Sequence, residues 1–460
     1  MPSNRRISRS ASWLPLALTL ACLAAPAAGH AATFLVTTTG DTGDTNTADN
    51  ACAASGGGCT LRAAIQQANA TAGPDAIHFA IGTGPQTITP ASALPAVTGT
   101  VTIDGRTQPG AAPPAISLAG TSAGAGTNGL VLGANGCQIY GLVVRNFGNH
   151  GIVVNSSGNT VARNNIGTDA AGTADQGNSA YGIVVTGSTN TIGGPAASYA
   201  DRNVISGNNG GGLQVTGTGN TVQNNFIGVN RQGTATLGNG GPGVFLSAAA
   251  NNTFKGNIIS GNTGDGMRIV GGSGNTVHEN SLIGLNNGAT ADLGNSGHGV
   301  YIESSSNNVI GGTNLISGNG AAGVYITGAT ATGNVVRGNF IGLGFGGGNQ
   351  VAIGNSAQGV VLTAGANGNT IGGMSNGTGN VISGNGAVGV LISGGSGGNN
   401  VVSNVIGVGE GPTGTAIAIP NGGHGVQIVS SPNNKIGIDA SQGSGNTISD
   451  NQGNGVYVTD

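Results

Sequence analysis

Apolar positions recur along this chain in two short phrases that alternate. The first is a strand phrase, G-V-x-I in form, with copies beginning at Gly129, Gly151, Gly182, Gly212, Gly243, Gly266, Gly299, Gly323, Gly359, Gly389, Gly425 and Gly455. The second is rich in asparagine, N-T-V followed by N-x-I-G, as in Asn220-Thr221-Val222 and Asn225-Phe226-Ile227-Gly228. Alternation sends Leu213 and Val215 to one side of their strand and Gln214 to the other. Steps of 22 to 36 residues between copies lie in the period range of stacked coils, so the chain is expected to be a solenoid. Each coil then carries three short strands. Glycine and asparagine mark its corners because they tolerate left-handed backbone.

Two features decorate the coils. Asn159, Asn190, Asn220, Asn252, Asn275, Asn308, Asn334 and Asn369 share one coil position, and their amides are expected to stack about 4.8 Å apart and hydrogen-bond from rung to rung. Alternate coils carry insertions after the I-G corner, at 168–181, 229–242, 285–298, 343–358 and 408–424. Five loops are therefore expected to project from one edge, the usual place for binding on a rigid scaffold. Upstream the pattern changes. Leu61, Ile65 and Ala68 fall on one helical face, Thr60 suits an N-cap, and Gly73-Pro74 ends the run, so a helix over Leu61 to Asn69 is expected to cap the open end of the stack.

Composition sharpens this picture: 93 glycines, 6% charged and 3% aromatic residues, without the triplet period of collagen. The regular apolar rows argue against disorder. Arg5, Arg6 and Arg9 precede an apolar run from Trp13 to Ala28, with Gly29 and Ala31 placed for cleavage, which predicts a secretory signal over 1–31 and a periplasmic or extracellular destination. No later stretch is long and apolar enough to span a membrane. Without the three leader arginines, 10 basic residues face 16 acidic ones, and the missing basic stripe disfavours nucleic acid. Cys52 and Cys59 flank a glycine-rich segment and are expected to close a small loop in an oxidising compartment, while Cys137 reads as a buried small hydrophobe.

These residues resemble two known groups. Cys59-Thr-Leu-Arg-Ala-Ala-Ile-Gln-Gln-Ala-Asn69, with the acidic loop before it, is similar to the N-terminal CSLREA-type domain of secreted bacterial proteins, with Thr60 and Ala63 in place of that motif's Ser and Glu. From about Ile88 to Asp460 the chain resembles the right-handed parallel β-helix repeats of the pectin-lyase-like superfamily. The expectation is an all-β, right-handed parallel β-helix of about twelve coils, with a signal peptide at 1–31, a cap at 32–96 and repeats at 97–460. That superfamily includes lyases, hydrolases, epimerases, tailspikes and adhesins, so the fold does not name a reaction.

In a coil stack the informative unit is a column. Phe245, Asp265, Arg268, His298, Tyr301, Glu303 and Tyr325 are expected to share one outer surface. Asp265 beside His298 would favour the protonated imidazole, and Arg268 could clamp the carboxylate of an acidic sugar, giving Asp265, His298 and Arg268 a catalytic reading. Phe245, Tyr301 and Tyr325 would offer flat faces to sugar rings, with Glu303 nearby for binding. Gly297-His298-Gly299 and Gly423-His424-Gly425 are similar to the G-H-G element of polygalacturonases, whose other parts are missing here. No cofactor is expected, although Asp41, Asp44 and Asp49 supply oxygens of the type that suits calcium. The favoured function is a secreted or surface protein binding an extracellular polysaccharide or surface glycan. One alternative is a lyase or hydrolase of acidic polysaccharide. Another, prompted by the absence of a capping segment after Gly455-Val-Tyr-Val, is a fragment of a larger adhesin or autotransporter passenger.

Overall fold

A computed structural model describes residues 1, 31–112, 114–195, 202–373, 378–411, 414–437 and 445–460. The leader expected over 1–31 lies outside them except at its two ends. Three long parallel sheets, of 14, 13 and 12 strands, form the walls of a right-handed parallel β-helix. The first runs from Thr33–Val36 to Lys435–Ile436, the second from Gln86–Ile88 to Thr447–Ile448, and the third from Leu130–Leu132 to Val456–Thr459. Every neighbour in these walls is in register, as in Phe245↔Arg268, Arg268↔Tyr301 and Tyr301↔Tyr325 on the third.

Alternation along each third-sheet strand fills the interior. Val244, Leu246, Met267, Ile269, Val300, Ile302, Val324 and Ile326 are fully buried in one continuous core cluster. At its glycine positions the corner closes too tightly for a side chain. Gly228 has φ 87°, and a Cβ there would collide with the carbonyl oxygen of Ser260 on the next rung.

Asparagine ladders hold the corners together, and among the described residues there are three rather than one. The expected ladder is present: Asn220 Nδ2 donates to Asn252 Oδ1 at 3.0 Å and Asn252 Nδ2 to Asn275 Oδ1 at 3.0 Å. A second runs through Asn203, Asn225 and Asn257, and a third through Asn208, Asn239 and Asn262, with comparable bonds. Each amide also donates to a backbone carbonyl or receives a backbone N–H, so these fully buried polar groups are satisfied.

The capping helix forms as expected. The helix spans Leu61–Ala70, Thr60 accepts from the Ala63 N–H at 3.0 Å, and Leu61, Ala64, Ile65 and Ala68 join the core. Cys52 and Cys59 are bridged, with Cα atoms 5.3 Å apart, and Cys137 is buried and free.

The five insertions, by contrast, do not stand out as free loops. They fold over the outer face of the second sheet and stack on one another. The Arg231 N–H donates to Gly172 O at 2.9 Å, Asn287 to Gly233 at 2.8 Å and Phe345 to Ala289 at 2.8 Å, and the Glu410 N–H donates to Gln350 Oε1 at 3.0 Å. Beneath this shelf Phe226, Val229, Ile258, Leu285 and Leu315 are buried. Serines of the intervening short coils anchor it. Ser260 Oγ accepts from the Gly284 N–H and donates to Leu285 O, and Ser206, Ser317 and Ser383 repeat the pattern.

Candidate functional site

With the insertions committed to the shelf, the outer face of the third sheet is where the sequence-derived candidates gather. Arg268, Tyr301 and Tyr325 sit at one strand position on successive rungs, pointing away from the core and half-buried. Rung spacing brings the two phenol rings to 5.5 Å, within 6° of parallel, and the Arg268 guanidinium lies 4.8 Å from the Tyr301 ring centre on its other face. Phe245 is one rung further, beyond the guanidinium.

This stacking corrects the expected binding mode. Tyr301 is covered by Arg268 on one face and Tyr325 on the other, so it presents an edge and a hydroxyl to the surface instead of a platform. Arg268 is also not a waiting carboxylate clamp, because its Nη2 donates to Glu303 Oε2 at 3.0 Å. Burial, reinforced by the Glu303 charge, pushes the Tyr301 phenol above its ordinary range, so the group remains an O–H donor.

His298 departs from expectation in the same way. Asp265 does not bond its imidazole; Asp265 Oδ1 accepts from the His298 backbone N–H at 2.8 Å. The imidazole turns to the next rung, where Nδ1 accepts from the Ala322 N–H at 3.2 Å, and its ring lies 4.5 Å from that of Tyr325. With Nδ1 occupied as an acceptor, the proton of the neutral ring resides on Nε2. Burial lowers the His298 pKa and Arg268 adds to the effect, outweighing the opposing pull of Asp265, so the protonated state expected from the Asp265 pair is disfavoured.

Tyr181 belongs to the same strip and was not selected from the sequence. Its ring lies across Gly211, where a Cβ would overlap it, and it lies close enough for the Arg268 charge to oppose the effect of burial on its phenol. The available signal was the glycine that comes after Tyr181 in its column.

The acidic loop of the cap is occupied otherwise. Asp41 pairs with Arg62 at 2.8 Å and accepts from the Ala91 N–H, Asp44 Oδ1 accepts from Asn46, and Asp49 accepts from the Ala51 N–H and Asn46 Nδ2. Asp44 Oδ2 is buried without a partner, one oxygen where calcium takes six to eight. Among the described residues no group of three or more His, Cys, Asp or Glu side chains is gathered to hold a metal, so the calcium expectation for Asp41, Asp44 and Asp49 finds no ligand set.

Residues 128–341 match the family model described as a right handed beta helix region. No curated protein matches the chain. Among solved structures the chain is similar to the mannuronan C-5 epimerase AlgE6 A-module of Azotobacter vinelandii, at 14% identity and TM-score 0.44, covering 87% of this chain and 93% of that one. It is also similar to the Dettilon tailspike protein, at 12% and 0.43, covering 86% and 64%. A third is pectate lyase Pel9A, at 15% and 0.36, covering 81% and 79%. At these identities the likeness is one of coiled architecture.

Proposed function

We propose that this is an exported, non-catalytic glycan-binding protein that recognises a neutral, hydroxyl-rich sugar chain through the Tyr301–Tyr325–His298 strip. The observation that carries the reading is the in-register stack itself. It fixes two phenol O–H groups and one imidazole N–H along a flat wall, at the surface and with little rotamer freedom left to lose. Rigid donors of this kind match sugar hydroxyls. Pairing of Arg268 with Glu303 leaves the strip without an uncommitted cation, which favours neutral over acidic chains. Export is supported by the N-terminal leader pattern and by the Cys52–Cys59 bridge, a feature of oxidising compartments.

A catalytic reading draws on the proximity of Asp265, His298 and Arg268. Against it, Nδ1 of His298 is engaged by the Ala322 N–H and Nε2 of the neutral ring carries the proton, leaving no free lone pair for base catalysis, and Asp265 and Glu303 each have an oxygen engaged.

The test is a glycan array spanning neutral and uronate-containing chains. Binding to neutral chains is expected, with about tenfold or greater loss in a Tyr301→Ala/Tyr325→Ala variant, equivalent to about 1.4 kcal/mol. Unchanged binding by that variant would defeat the proposal. Incubation with uronate polymers is expected to release neither unsaturated products nor reducing ends, and release of either would establish an enzyme.

A further inference from the structure

Among the described residues the His298–Tyr325 arrangement occurs twice. His424, also flanked by glycines, accepts the Asn454 N–H on Nδ1 at 2.8 Å, and its ring stacks on Tyr457 at 4.6 Å and 14°. The residue roles are those of His298 with Ala322 and Tyr325: a histidine ahead of one strand, the amide at the same position on the next rung, and a tyrosine outward from that next strand. Both tyrosines belong to one column, joined by the pairs Tyr325↔Val361, Val361↔Leu391, Leu391↔Gln427 and Gln427↔Tyr457. Four strand spacings therefore separate the two elements, roughly 19 Å along the axis.

Backbone capping alone does not account for the histidines. Asn128 and Asp265 at the same column position satisfy the next-rung N–H with smaller side chains. Nor does every capping histidine acquire the stacked partner. His150 accepts the Tyr181 N–H, but Val184 holds the outward position on that rung, and the nearest phenol, that of Tyr181, is 6.1 Å away and tilted by 39°. What His298 and His424 share beyond capping is a flat ring braced by a tyrosine, with an Nε2–H left over as a donor.

We infer that His424 with Tyr457 is a second subsite on the same wall, and that the two elements together take one linear, neutral polysaccharide lying along the helix axis. The inference rests on the glycan-binding reading above. The wall between the elements suits such a chain: buried Val361 leaves a low floor, Leu391 and Gln427 continue it, and no Lys, Arg, Asp or Glu occupies either column from Gln358 to Tyr457. Two weak sites on a rigid spacing act on a long ligand as a bivalent binder, whereas a ligand too short to span them gains nothing.

The experiment is titration calorimetry with neutral β-linked gluco- and manno-oligosaccharides of roughly two to ten units, with alginate oligosaccharides as the acidic arm. Neutral chains that span both elements are expected to bind about tenfold or more tightly than short ones. His424→Asn, which retains a capping acceptor, and Tyr457→Ala are each expected to erase that length advantage while short chains keep their affinity for the first element. If both variants bind long chains as the parent does while Tyr301→Ala/Tyr325→Ala does not, the second subsite is wrong and the first reading stands. If all the variants behave as the parent, or no chain binds, both are wrong. Alginate binding tighter than the neutral series would overturn the ligand class.

Discussion

At the scale of single residues, two of the histidines that cap backbone N–H groups along the wall are acid-sensitive. His298 and His150 each accept a backbone N–H on Nδ1, and burial lowers the pKa of both. A group whose folded pKa is depressed takes up its proton more readily when unfolded. Its contribution to stability is therefore full above the ordinary imidazole value near 6.5 and is lost as pH falls through the depressed folded value. Protonation of His298 also destroys the acceptor for Ala322, in a setting where Asp265 favours the cation and Arg268 opposes it. Melting temperature should fall between pH 7 and pH 5, and His150→Asn/His298→Asn should flatten that slope because asparagine can accept the same N–H at any pH. A slope unchanged in the double variant, measured by calorimetry across the range, would show that other groups govern it.

At the scale of elements, the strands and their inward rows were legible because alternation and corner chemistry are local properties. Val244, Phe245 and Leu246 state their own in-out pattern, and the columns followed once the corners fixed the register. The destination of the insertions was not read, although a signal was present. Second-sheet strands are apolar on both faces, as in Val204–Ile205, Phe226–Ile227 and Ile258–Ile259, and a strand apolar on both faces needs cover on both. The shelf supplies that cover, and I-S-G-N in the short coils supplies its anchor. Removing the hydroxyl in Ser260→Ala takes the side-chain donor from the Leu285 carbonyl and leaves the Gly284 N–H with its backbone bond to Ile259 O alone, at a cost of about 1 kcal/mol. Hydrogen exchange should then quicken across 285–298 while the third sheet keeps its protection. Ring stacking and the choice of imidazole nitrogen lay beyond a sequence reading, since both depend on rotamers that packing selects.

At the scale of the whole molecule, the protein is a one-dimensional stack whose three walls pair only adjacent rungs, while the shelf links alternate coils across the short coil between them, so stability is shared out mainly between near neighbours. The asparagine ladders carry much of that coupling, and position along the stack should decide what a broken rung does. Asn252 Oδ1 receives both the backbone and the side-chain N–H of Asn220, at 2.8 and 3.0 Å, and Asn252 Nδ2 passes the chain of bonds to Asn275. Alanine at 252 strands two buried donors at mid-stack, a loss of about 3 kcal/mol concentrated at one interface. Asn434 accepts the equivalent pair from Asn399, at 2.9 and 3.0 Å, near the last rungs, where a break frays only the short C-terminal remainder of the stack. Asn252→Ala is therefore expected to divide thermal unfolding into two calorimetric transitions, one for the coils on each side. Asn434→Ala should keep one main transition and lose hydrogen-exchange protection only beyond that rung. The ladder also has a natural gap: Ser281 stands in the second column between Asn257 and Asn314. Filling it by Ser281→Asn should rejoin Asn257 to Asn314 and raise the melting temperature. If Asn252→Ala and Asn434→Ala lower a single transition by the same amount, the stack unfolds as one cooperative body and nearest-neighbour coupling is the wrong description.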